Sequence, residues 1–318
     1  MRLFDLHCDT ATECRKAGCS LQNNAMHLDF CRGRQYDAWV QTFAVWIPDT
    51  LRGDDAWVYF LDNAEFFRAE AERHDLPICT SFDALSDALR EKRAAALFAV
   101  EGGAVIGGRL DRLEAIRRMG VRILTLTWNA ENELAFGCQS PGGGLKPFGF
   151  EALREMERIG VLPDVSHLHA DGFYDVLRAT DIPVLATHST SAAVLRERRG
   201  ESLDKQFSLR RALEDEQIRA LALHGGLIGL NLCGSFLGDP GDDGMAAALR
   251  HARHILRLGG EDILALGSDF DGCSIHPDMA GVEKMQGLFE YFRKNGVSEA
   301  VCAKIFFENA LQFFKNVL

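Results

Sequence analysis

No two of the nine cysteines are spaced as Cys-x-x-Cys, and their number is odd. Scattered thiols in a chain this long exclude a disulfide scaffold and read as reduced cysteines of a cytoplasmic protein. No stretch approaches the roughly 18 uninterrupted apolar residues of a membrane span. The start of the chain lacks the basic segment and apolar run of a secretory signal. The last residues, ENALQFFKNVL, lack the small-residue site, spacer and long apolar tail of a lipid-anchor signal. Positive charge is also scarce: 35 Lys and Arg stand against 46 Asp and Glu, a formal net charge of −11. A surface this acidic argues against nucleic acid or an anionic membrane as the main partner. Finally, no Pro- or Ser-rich linker and no low-complexity segment interrupts the chain, so residues 1–318 are expected to form a single domain.

What is present is an alternation. Short apolar runs predict strands at 2–6, 38–46, 95–100, 121–126, 161–165, 183–187, 226–231 and 263–268, with a spare short outer strand at 76–80. Between them, apolar residues at i, i+3/i+4 spacing predict helices such as 55–73, 109–119, 148–159, 207–223 and 243–258. Continuous apolar strands suit a parallel sheet buried on both faces. Eight of them separated by helices predict an α/β fold, a closed (β/α)8 TIM-like barrel; a doubly wound open sheet is the alternative. The barrel makes a sharp demand, because its functional side chains sit just after the strand C-termini.

The polar residues meet that demand. Strand 1 runs into His7 and Asp9 (LFDLHCDT), strand 3 into Glu101 (FAVEGG), strand 5 into His167 (LPDVSH), strand 6 into His188 (VLATHS) and strand 8 into Asp269 (LALGSDFDG). Taken singly, each has a structural explanation: a hydrogen-bonded histidine, a helix N-cap, a turn residue beside glycines. Six on one mouth do not, because unpaired buried carboxylates are expensive. Three imidazoles with two or three carboxylates suit one or two Zn²⁺-like ions, and a shared carboxylate suits two metals roughly 3.5–4 Å apart. Competing signals are weaker. His169 is a second-ranked ligand beside His167, and Asp271 an alternative acid. His251 and His254 are expected to face solvent, Cys14 and Cys19 to be plain thiols without a nearby partner. EGGAVIGGR (101–109) lacks the GxGxxG or Walker pattern of a phosphate loop.

The motifs DLHCDT, VEGG, LTLT, DVSH, THS, RRG and GSDFDG, in this order, resemble the membrane dipeptidase (renal dipeptidase) family of the amidohydrolase superfamily. The resemblance runs nearly end to end and includes the 21-residue step from His167 to His188. It implies a binuclear zinc centre: His7 and Asp9 on the first ion, Glu101 bridging, His167 and His188 on the second. It also implies that Asp269 handles the proton of the attacking water, and that Arg199, eleven residues after His188, holds the substrate's free carboxylate. The expected activity is cleavage of small dipeptides, extending to those with a C-terminal D-residue. N-acyl amino acids or other small amides are the alternative substrates, and a metal-bound binding protein with little turnover is a third reading. A homodimer is expected by the same resemblance. Two departures bear on substrate. After LTLT many members place a histidine near the polarised carbonyl, where this chain has Trp128, and Cys233 stands where such members have a tyrosine. Losing an oxyanion donor costs on the order of 10²–10³ in rate.

Overall fold

AWVQTFAVW shows how these strands form. Its β-branched and aromatic residues favour extended backbone, and eight of its nine residues are buried, as a strand covered on both faces requires. The computed structural model describes residues 1–197, 203–238 and 243–318. Among them run eight strands, β1 (Arg2–Cys8), β2 (Ala38–Trp46), β3 (Ala94–Glu101), β4 (Val121–Thr125), β5 (Leu162–Asp164), β6 (Leu185–Ser189), β7 (Leu227–Leu230) and β8 (Leu264–Leu266). Each pairs in parallel with the next, and Asp5 of β1 opposite Leu266 of β8 closes the ring. The fold is a (β/α)8 barrel, and each of the eight expected strands is present. The segment at 76–80 adds a single pairing, Ile78 beside Ala96, held by Cys79 N donating to Ala96 O at 2.8 Å and Ala96 N to Pro77 O at 2.8 Å.

Helices Gly53–Arg73, Leu110–Arg118, Pro147–Ile159 and Gly244–Gly259 follow the apolar periodicity. The expected helix at 207–223 is a correction: the chain forms two helices there, Leu203–Arg211 and Asp215–Leu223. Leu213 N donates to Thr190 O and Ala192 N to Leu213 O, both at 2.9 Å, which pulls the chain onto the segment after β6. Glu214 then opens a capping box with Gln217. A tertiary tie outweighs periodicity that would have continued.

His251 is a second correction. It is fully buried on the inner face of helix Gly244–Gly259, where Ser191 N donates to its Nδ1 at 3.1 Å and its Nε2 donates to Leu237 O at 2.9 Å. It falls in step with Ala247, Ala248, Ala252 and Ile255 on the apolar stripe. His254 is largely covered and meets Asp215 at 2.7 Å.

Strands β6, β7 and β8 approach so closely that only glycine fits between them. A Cβ on Gly229 or on the following strand's Gly267 would run into the Thr187 carbonyl oxygen, which is backbone and cannot move aside. Gly267→Ala is therefore expected to lower stability by about 1–3 kcal/mol or more through overpacking, read as a lower denaturation midpoint with unchanged slope.

Candidate active site

The site rests on two buried carboxylates, Asp5 and Asp164, which open the DLHCDT and DVSH segments. Asp5 on β1 accepts from Ser268 N (2.8 Å), Ser268 Oγ (2.5 Å) and Gln41 Nε2 (3.1 Å). Asp164 on β5 accepts from Thr125 Oγ1 (2.6 Å), Thr187 Oγ1 (2.6 Å), Thr187 N (2.9 Å) and Ser166 N (3.0 Å). Each carboxylate thus ties its strand to both neighbours just below the mouth. Burial pushes the Asp5 carboxyl above its ordinary range despite those donors. Sequence inspection missed both roles, since membership of a motif does not say which donors on neighbouring strands a buried Asp will meet.

Above them the strand ends converge as expected. His167 Nε2 lies 2.9 Å and His188 Nε2 3.4 Å from Glu101 Oε1, and the two nitrogens are 3.0 Å apart. His7 Nε2 lies 3.5 Å from Asp9 Oδ2 and 3.6 Å from Glu101 Oε2. The His7 and His188 rings stack with centroids 3.8 Å apart. All five residues are at least nine-tenths buried.

Tautomers follow from the partners. Thr187 Oγ1 spends its one proton on Asp164, so its contact with His188 Nδ1 at 2.9 Å has the imidazole donating. His167 Nδ1 likewise donates to Asn129 Oδ1 at 2.9 Å. Both Nε2 atoms are thereby left as bare lone pairs aimed at a carboxylate, which is the tautomer a metal-ligating histidine adopts. Acceptors facing acceptors at these distances call for positive charge between them. His7 Nε2 and Asp9 Oδ1 are buried without a hydrogen-bond partner among the described residues, which points the same way. The donor set fits divalent zinc-type ions: His7, Asp9, Glu101, His167 and His188 are the residues that would hold them.

The electrostatics express the same crowding. Burial lowers the His167 imidazole to about 4 and holds His188 well below the ordinary histidine range, so both stay neutral ligands. Burial also opposes charge on Glu101, yet the three histidines around it, His167, His188 and His7, hold it well below the usual carboxylate range. Burial, reinforced by Glu101, pushes Asp9 up to about 6. Asp269 is pushed up to about 7 by burial together with Asp9 and Glu101.

The alternative explanations do not describe these side chains. Asp9 occupies the N-cap position of helix Thr10–Ala17, but its side chain makes no capping bond. Asp269 accepts from Asn231 Nδ2 at 3.0 Å and stands beside Asp9, a proximity that only Gly272 permits, since a Cβ there would strike both carboxylates. Both His167 (φ 65°) and Asp269 (φ 62°) hold left-handed backbone, a strained state found where geometry is over-determined by surroundings. By contrast His169 caps helix Ala170–Ala179, with Asp171 N donating to its Nδ1 at 3.3 Å. Asp271 is committed to structure: it accepts from Thr10 Oγ1 (2.6 Å) and His27 N (2.8 Å). Arg196 pairs with Glu214 on the surface, while Arg198 and Arg199 lie outside the described residues.

Cys14 and Cys19 are a correction: each is the other's partner, with the Sγ atoms 2.9 Å apart. Helix Thr10–Ala17 ends in a Schellman motif, with Cys19 N donating to Cys14 O and left-handed Gly18 N to Arg15 O. That motif places those two side chains in contact.

The mouth opens into a cavity of about 640 Å³ lined by Asp9, Glu101, His167 and Asp269 on its floor and by Trp46 and Trp128 on one wall. The two indoles meet edge to face, centroids 4.9 Å apart.

A closed parallel barrel whose C-terminal mouth gathers three imidazoles and three carboxylates is the architecture of a barrel metallopeptidase. The chain belongs to the membrane dipeptidase family, peptidase family M19, whose model matches residues 1–318. It resembles the crystal structure of dipeptidase AC, a family M19 metallopeptidase, at 26% identity and TM-score 0.88, over 100% of this chain and 98% of that one. A metallopeptidase from Rhodobacter sphaeroides, liganded with a phosphinate mimic of the dipeptide L-Ala-D-Ala, is 25% identical with TM-score 0.89, covering 100% and 99%. A Klebsiella pneumoniae protein described as an uncharacterised protein in the pqqA 5′ region is 29% identical over 253 residues, covering 76% of this chain and 89% of its own. The chain is thus a metallopeptidase-family enzyme acting on peptide bonds, and the reading as a mere binding protein falls. Among the described residues no helix is long and apolar enough to cross a membrane.

Asn129 offers a direct test of the tautomer argument. Asn129→Ala is expected to weaken metal retention about 10–100-fold, the usual cost of removing a partner behind a ligating histidine, with unfolding little changed. Competition with a chelator measures it.

Proposed function

We propose that this protein is a binuclear zinc dipeptidase acting on small dipeptides with a free C-terminal carboxylate, including those ending in a D-residue. The observation that carries this reading is the convergence of bare Nε2 lone pairs from His167 and His188 on a buried Glu101 that also faces His7. His7 and Asp9 would hold one ion, His167 and His188 the other, with Glu101 shared. When bound, zinc supplies Lewis acidity, which polarises a carbonyl and lowers the pKa of water from 15.7 to roughly 7.

This chain's own residues do the rest. Asp269, held by Asn231, takes the proton of the attacking water and returns it to the leaving amine. The Trp46–Trp128 wall receives the apolar part of a small substrate and keeps bulk water from that side. Arg199 clamps the C-terminal carboxylate, a role that rests on its position eleven residues after His188 and on the charge-assisted fork that Arg forms with carboxylates. The preference for a D-residue is supported by the Rhodobacter relative, whose ligand mimics L-Ala-D-Ala.

Elemental analysis of zinc-loaded protein is expected to give two ions per chain, and fewer than one would defeat the reading. Asp269→Asn should keep both ions and lose most turnover, whereas an unchanged kcat would reduce Asp269 to a structural residue. Arg199→Ala removes a pair worth about 1.5–3 kcal/mol, or roughly 10–150-fold in kcat/KM. Dipeptide amides should be poor substrates that barely register that change. Equal losses on free acids and amides would refute the clamp.

A further inference from the structure

A second group of donor atoms stands beside the histidine–carboxylate centre. Cys233 lies three residues beyond β7, and Cys273 lies in the loop after β8. Backbone pairing holds the two loops together, with Cys233 antiparallel to Ile275 and Gly234 N donating to Ser274 O at 2.9 Å; within the first loop Cys233 N donates to Asn231 Oδ1 at 2.6 Å. Cys233 Sγ lies 3.3 Å from Ser235 Oγ, Cys273 Sγ donates to Asp269 O at 3.5 Å, and neither cysteine is in a disulfide. Their sulfurs and a carboxylate oxygen of Asp269 all lie within 4.8 Å of one another, and the three residues line the active-site cavity. Asn231 Nδ2 holds Asp269 on this side while its Oδ1 holds the Cys233 backbone, so one side chain sets the position of two of the three donors.

We propose that Cys233, Cys273 and Asp269 form a binding site for one thiophilic divalent cation of the Zn²⁺ or Cd²⁺ type, adjoining the histidine–carboxylate centre on its Asp269 side, and that its occupation shuts the enzyme off. Two sulfurs and one oxygen, with the cavity supplying a fourth position, match the tetrahedral sets that soft divalent ions take. Two thiolates cancel the charge of the added ion, so its binding places no net positive charge beside the first centre. Inhibition follows because an Asp269 oxygen engaged by the cation no longer receives a proton from water. That half rests on the role of Asp269 proposed above; the binding half does not.

The test is a Cd²⁺ titration of zinc-loaded protein kept reduced with a non-thiol reductant, following the ultraviolet sulfur-to-cadmium charge-transfer band and dipeptidase activity together. The expected result is one added ion per chain with a thiolate band, activity falling roughly 100-fold or more as for a lost general base, and recovery on chelation. The Cys233→Ser/Cys273→Ser variant should lose that band and, relative to its own starting rate, resist Cd²⁺. The Cys14→Ser/Cys19→Ser variant should behave as wild type, which separates this pair from the other adjacent thiols. A band of equal size in the Cys233→Ser/Cys273→Ser variant, or no band at all, overturns the site. Inhibition without the band means exchange at the histidine centre and overturns it too. A band that disappears with Cys233 and Cys273 yet leaves activity intact keeps the site and overturns the proton role of Asp269.

Discussion

Buried charge that must be satisfied from neighbouring strands is the constraint on which this molecule depends. Asp5 and Asp164 sit in the barrel wall with no exposure, and each collects donors from the elements on both sides. A carboxylate so placed is costly unless its lone pairs are used, so the strands that supply donors are held at one height. The ligands ride on that alignment: His7 is two residues after Asp5, His188 follows Thr187, and Asp269 follows Ser268. Moving either Asp would unsettle the barrel and the centre together.

The same economy fixes proton positions. Thr187 has a single hydroxyl proton and gives it to Asp164, so His188 has no choice of tautomer. Asn129 does the same for His167 from a different strand end. The proton positions at the mouth are therefore set by residues outside the histidine–carboxylate cluster, in keeping with the influence that outer partners have on metal sites.

Strain is concentrated where the chain leaves the strands. His167, Asp269 and Asp271 adopt left-handed backbone, with Gly272 supplying the space for two carboxylates to stand side by side. Asp271 shows what pays that cost, since its side chain bonds both Thr10 and the His27 backbone and pins the loop to the entry of the first helix. The residues that would hold metal meet at the mouth, whereas Trp128 and Cys233, the two departures from the motifs that this sequence resembles, both line the cavity.

The eight strands, their parallel arrangement and the residues at their ends were legible from sequence because both signals are local. An apolar run announces a buried strand, and a His or Asp at its end announces itself by type. The meeting of His7, Asp9, Glu101, His167, His188 and Asp269 needed only the inference that strand C-termini share a mouth. Tertiary structure alone decided the rest. The helix expected at 207–223 broke because Leu213 found backbone partners near Thr190, and His251 turned inward because its helix face was needed against the barrel. The supporting roles of Asp5, Asp164, Asn129 and Asn231 were not legible, since their importance lies in partners up to 263 residues away. Cys233 and Cys273, 40 positions apart in a chain of scattered thiols, became neighbours only when β7 and β8 came together. Residue type and spacing determine which groups are available; distance in space, set by the closed barrel, decides which of them meet.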